Sequence, residues 1–196
     1  MNIEQLLLGL SLASAAGLRA FLPLLLLSLM ARFGHLPLNE HFAWLGSNAA
    51  LAVLSIATVV ELLADKVPVL DHALDTVQTV VRPLAGALAV ASSQSQMDPT
   101  MAAVLALVLG APTAGGIHFA KGSTRLVSTA GTAGLANPFI SIGEDFLALA
   151  LSALGIFIPL VGFALSLIFA YLAYRGWRAW QKRRTSRPVQ PPVQDS

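Results

Sequence analysis

Apolar runs long enough to cross a membrane alternate with short polar breaks along this chain, and the breaks predict where helices start and stop. The runs place helices at about Glu4–Met30, Ser47–Asp65, Pro68–Ala91, Thr100–Lys121, Phe139–Leu154 and Ile158–Tyr174. A bilayer needs roughly 20 apolar residues per helical crossing. The first run exceeds that, so it is tilted or broken around Gly17 to Pro23. Pro23 removes a backbone donor and crowds the carbonyl of Arg19, which favours a kink beside a cation. The third run is the most polar, with Asp75, Gln78 and Arg82 in its first half. It reads as a half-span or as a helix with one buried polar face. Gly122 to Asn137 is too polar to span, and Asn137-Pro138 marks a turn. Leu6 to Leu12 followed by small residues has the outline of a secretion signal but no basic flank, so it reads as a retained first helix.

The fold class that follows is an all-α membrane protein of about six transmembrane helices, in one domain over residues 1–180. A basic, Pro-rich tail over 181–196 is expected to be disordered. Composition agrees: 56% of residues are apolar and 11% charged, against about 45–50% and about 25% in soluble proteins. Mean hydropathy is +0.72. The net charge of +2 does not indicate nucleic acid, because six of the twelve basic residues lie between Arg175 and Arg187. That placement is a topology signal and a contact for anionic lipid headgroups, and it puts both termini in the cytoplasm. The chain has no cysteine, which excludes disulfides, thiolate metal sites and thiol chemistry. No cofactor is expected.

Ionisable residues inside the apolar runs carry the candidate chemistry, since each costs free energy unless paired or hydrated. Arg19 lies in the first run. Glu61 and Asp65 end the second, four residues apart and on one face. Asp75 and Arg82 share a face of the third and read as a structural pair. His118, Lys121 and Arg125 are spaced three, then four, and form one basic stripe if their helix continues past Gly122. Such a stripe suits a phosphate or carboxylate, or else it marks a cytoplasmic helix end. Glu144 and Asp145 open the fifth helix. The acids Glu61, Asp65, Glu144 and Asp145 are candidates for a cation or proton site, with Arg19, Arg82 and His118 as counter-charges. Permanent ion pairing of the same residues would serve structure alone. The metal, if any, is not specified. Gly-x-Ser-x-Gly, His-Glu-x-x-His and Walker signatures are missing, so an enzyme is not indicated, although lipid chemistry through His118 stays open.

Residues 1–95 and 100–178 show a weak self-similarity. Ala16-Gly17-Leu18-Arg19-Ala20-Phe21 resembles Gly115-Gly116-Ile117-His118-Phe119-Ala120, and Glu61 with Asp65 parallels Glu144 with Asp145. Three helices per half would invert the halves relative to one another, with a site at their interface. Gly110, Gly115 and Gly116 allow close helix packing within the chain or in a homo-oligomer.

The order Gly17-Leu18-Arg19-Ala20-Phe21-Leu22-Pro23, Glu61 with Asp65-Lys66, Asp75 with Arg82-Pro83 and Gly86, His118-x-x-Lys121-x-x-x-Arg125, then Asn137-Pro138 with Ser141 and Glu144-Asp145 resembles the bacterial membrane family catalogued as domain of unknown function 4126. The resemblance covers about Leu6 to Phe169. It implies a multi-span protein of the bacterial inner membrane and brings no activity with it. The expected function is a small transporter or channel-like protein for a cation or proton. The alternatives are a lipid-headgroup enzyme or binding protein and a non-catalytic scaffold.

Overall fold

The computed structural model describes residues 2–65, 68–132 and 135–185, and every regular element among them is helical. Helix α1 spans Ile3–Leu18 and α2 spans Leu22–Arg32, followed by a 3-10 turn over Glu40–Gly46. Then come α3 (Asn48–Ala64), α4 (Pro68–Ser93) and α5 (Pro99–Leu105). A π-turn over Ala106–Gly110 leads into α6 (Ala111–Thr132), α7 (Asn137–Phe157) and α8 (Pro159–Thr185). Local sequence explains the starts. Asn2, Ser47 and Asp98 accept hydrogen bonds from the first-turn amides of α1, α3 and α5, and Pro99 takes the position where its missing donor does no harm.

By length and composition, three helices can cross a membrane: Pro99–Arg125, Phe139–Phe157 and Pro159–Gly176. Counting the bent pair Glu40–Gly46 and Asn48–Ala64 gives four. Their outer faces carry exposed Val53, Ile56, Leu107, Phe119, Phe146 and Leu160. Water is a poor solvent for such a surface and lipid a good one. The interior instead uses small residues, as helix packing in lipid requires. Ala13, Ala15, Ala16, Ala89, Ala114 and Ala148 are fully buried. A β-carbon on Gly17 would lie 2.5 Å from the Ala114 carbonyl and from Ile117 Cβ, so α1 and α6 touch backbone to side chain there.

The first apolar run, expected over Glu4–Met30 as tilted or broken around Gly17 to Pro23, is broken between Leu18 and Leu22, and the chain reverses there. The Gln5 carbonyl accepts from Ser93 Oγ at 3.2 Å, while the Asn39 amide donates to the Ser92 carbonyl at 2.8 Å. The start of α1 and the segment after α2 therefore sit at the same end of α4. Sixteen helical residues carry α1 about 24 Å away from that end, and a two-helix span continuing onward could not return within the seven residues from Phe33 to Asn39. Helices α1 and α2 form a hairpin that enters the bundle and turns back at Arg19–Phe21. Helices α2 and α3 run antiparallel, tied by Arg32 to Asn48 at one end and Glu61 to Ala20 at the other.

Other expectations shift with it. Helix α6 continues to Thr132 rather than ending near Lys121, and α8 continues to Thr185, beyond the expected tail boundary at 181. Pro188–Ser196 lies outside the described residues. Gly9 of α1 faces Val90, which also faces Gly110 of the π-turn leading into α6, whereas Gly17 faces Ile117 of α6. Helices α1 and α6 thus run parallel, and the pairing expected of inverted halves does not hold for these two. Helix α8 starts beside the end of α7, where Gly155 meets Ser11 of α1 and Gly162 of α8, and Leu165 and Phe169 then pack with Ala15 and Leu18, so Ile3 and Thr185 fall at opposite ends of the bundle. Gly110 packs against Gly86 within the chain, while no neighbouring helix lies within 4 Å of where a β-carbon on Gly116 would be.

Candidate functional site

The hairpin tip is where the site forms, because breaking a helix inside the bundle frees backbone groups that must be satisfied. At the end of α1, the Gly17 carbonyl accepts from Arg82 Nη1 at 3.2 Å and the Leu18 carbonyl from Lys121 Nζ at 3.3 Å. At the start of α2, the amides of Ala20 and Phe21 donate to Glu61 Oε1 and Oε2 at 2.9 and 3.2 Å. Cations thus meet the negative end of one helix dipole and an anion meets the positive end of the next.

Arg19, in extended backbone between the two helices, sends its side chain to α3 and α7. Its Nη1 donates to Asp65, its Nη2 donates to Ser141 Oγ at 2.9 Å, and its Nε lies against the Asp145 carboxylate. Asp65 Oδ2 also accepts from Arg125 Nη2 at 2.9 Å and lies 3.6 Å from Lys121 Nζ. Glu144 Oε2 lies 3.0 Å from Lys121 Nζ and 3.1 Å from Arg125 Nη2. The basic stripe of His118, Lys121 and Arg125 therefore exists, because α6 does continue past Gly122. Two of its members are buried between Asp65 and Glu144 rather than at an exposed helix end.

The other side of the tip is organised by Arg82. Its Nη2 donates to Gln78 Oε1, its Nη1 donates to His118 Nδ1 at 2.7 Å, and Glu61 Oε1 is 3.9 Å away. Gln78 Nε2 completes the set by donating to Glu61 Oε1 at 3.1 Å. An arginine can only donate, so His118 Nδ1 is an acceptor and its Nε2 faces Thr79 Oγ1 at 3.3 Å as the protonated nitrogen. This is the neutral tautomer. The side chain of Asp75, the expected partner of Arg82, and all of Lys66 lie outside the described residues.

Four carboxylates (Glu61, Asp65, Glu144, Asp145) thus face four cations (Arg19, Arg82, Lys121, Arg125) around one turn of chain. Arg19 and Arg82 are wholly buried, whereas the Asp145 side chain is 22% exposed and marks the wet edge of the cluster. Among the described residues no group of three His, Asp or Glu side chains is placed to hold a metal. The acids are separated by cations.

Residues 6–179 match the family model described as Domain of unknown function (DUF4126). The chain belongs to this family. No curated protein and no solved structure matches the chain. In this DUF4126 chain the residues that carried the sequence resemblance, from Arg19 through Glu61 and Asp65 to Glu144 and Asp145, meet at the hairpin tip. Sequence reasoning did not assign roles to Gln78, Thr79 and Ser141, which complete the network with neutral groups. The hints were the place of Gln78 in the polar half of the third run, that of Ser141 beside Glu144-Asp145 in the family motif, and the spacing of all three one helical turn from Arg82, Glu144 or Asp145. Chemically, Lys121 Nζ and Glu144 Oε2, 3.0 Å apart, are close enough to share a proton. Arginine does not release its proton.

Proposed function

We propose that this DUF4126 protein is a small transporter of the bacterial inner membrane that moves a proton or small cation through the cluster at the hairpin tip. The observation that supports this reading is the interleaving, among the described residues, of the acids Glu61, Asp65, Glu144 and Asp145 with the cations Arg19, Arg82, Lys121 and Arg125 against a broken helix. Buried ion pairs are an inefficient way to stabilise a bundle, since apolar residues of similar volume do as well or better. Ionisable groups retained at such depth usually serve a polar path. Asp145 at the wet edge would admit the ion, and Asp65, shared by three cations, would change partners as Glu144 or Lys121 is neutralised. A cytoplasmic basic tail on anionic headgroups fits the same picture.

The test is flux into proteoliposomes for protons, monovalent and divalent cations and simple anions, with Glu144→Gln/Asp145→Asn as control. Flux that the double variant loses while it inserts normally supports the reading. Equal flux in both proteins refutes it.

A second reading has its own support. Every backbone group named at the break has a side-chain partner, which is what a scaffold needs to hold a hairpin in lipid. It expects no flux of any ion from well-folded protein.

A further inference from the structure

Away from the charged cluster, helices α1, α6 and α8 leave an elongated groove of about 730 Å³ on the bundle surface. Its volume falls within the ~300–1,000 Å³ of ligand-sized sites. Its floor is Leu10, Ser14 and Ile117, and its walls include Gly116, Ala120 and Ala170. The absence of a side chain on Gly116 is part of what opens it, since nothing lies within 4 Å of where a β-carbon would be. The α8 wall from Phe163 to Tyr174 is about 17 Å long, close to the ~15 Å depth of one leaflet of hydrocarbon. Both walls belong to helices able to cross a membrane, so the groove opens toward acyl chains.

The two ends of the groove differ. Leu109, Pro112 and Phe163 close one end, and Ser123 and Tyr174 line the other. At that second end Arg178 stacks its guanidinium 5.7 Å from the ring centre of Tyr174, which lines the groove. Stacking holds this cation beside the groove mouth, where the apolar span gives way to basic residues. An apolar trough of leaflet length that ends at a tyrosine carrying an arginine has the polarity of an anionic phospholipid. The chain would occupy the trough, and the phosphate would lie against Arg178.

We infer that the α1–α6–α8 groove is a binding site for one anionic phospholipid of the surrounding bilayer. The inference is independent of ion transport. It is tested by purifying the full chain from membranes doped equally with phosphatidylglycerol and phosphatidylcholine of one chain length, and quantifying bound lipid by native mass spectrometry. The expected result is one retained lipid per chain with about ten-fold preference for phosphatidylglycerol, the effect of a single charge-assisted contact. Arg178→Ala should reduce that preference below about two-fold. Gly116→Phe and, independently, Ala170→Phe should fill the trough and remove the retained lipid while leaving the thermal melt in place. Equal retention of the two lipids, retention unaffected by both filling variants, or a dimer that the filling variants dissociate would each overturn the proposal.

Discussion

The carboxylate of Glu61, on α3, accepts the backbone amide of Ala20 at 2.9 Å and so caps a helix to which it does not belong. Capping of this kind is usually local, supplied by the residue preceding the helix. Here Phe21 occupies that place and offers no acceptor. Glu61→Ala should leave two amides without their acceptor and remove a buried carboxylate facing Arg82, at a site 2% exposed, costing about 3–5 kcal/mol. Glu61→Gln keeps an amide oxygen as acceptor and should cost less, about 1–3 kcal/mol. Equilibrium unfolding in mixed micelles checks the order, and equal costs would remove the capping role.

His118 should show its Nδ1 as an unprotonated, accepting nitrogen and its Nε2 as a protonated one, because Arg82 donates to the former at 2.7 Å. Nitrogen-15 spectra of histidine-labelled protein distinguish the tautomers directly. In Arg82→Gln, which also brings a donor, the pattern should persist; in Arg82→Met it should be lost.

Two glycines on neighbouring faces should respond to alanine in opposite directions. At Gly17 the added methyl meets the Ala114 carbonyl and Ile117 at 2.5 Å, and overpacking of this kind costs about 1–3 kcal/mol. At Gly116 the methyl meets nothing within 4 Å, and the helical preference of alanine should stabilise by up to about 1 kcal/mol. Thermal melts of the two variants decide it.

The hairpin makes a topological prediction that the cysteine-free sequence allows to be read cleanly. In single-cysteine variants, Ile3→Cys, Glu40→Cys and Gln96→Cys should react with an impermeant thiol reagent from one side of the membrane, and Leu135→Cys from the other. Ile3→Cys and Glu40→Cys reacting from opposite sides would restore a single first span.

The break in the first run was legible in the sequence because its causes are local: Pro23, a cation, and small residues from Ala13 to Gly17. The reversal of direction was not, because it depends on Glu61, Arg82 and Lys121 arriving from α3, α4 and α6. Spacing alone revealed the stripe of His118, Lys121 and Arg125, and the continuation of α6 to Thr132 made it real. Polar composition had argued that the helix should stop. It continues because its polar face is turned onto Asp65 and Glu144 instead of lipid. The weak repeat failed for α1 and α6 for a related reason: short Gly-aliphatic-cation matches record a shared need for close packing, and the two segments meet that need against each other.

The order of synthesis sets a condition on how this protein is built. Arg19 leaves the ribosome 46 residues ahead of Asp65 and 122 ahead of Ser141, so the newborn hairpin carries an unpartnered guanidinium and uncapped peptide groups. Such a segment partitions poorly into lipid on its own. Its tip must wait at the interface or within the insertion machinery until α6 and α7 arrive, which makes this early segment among the last to reach its place.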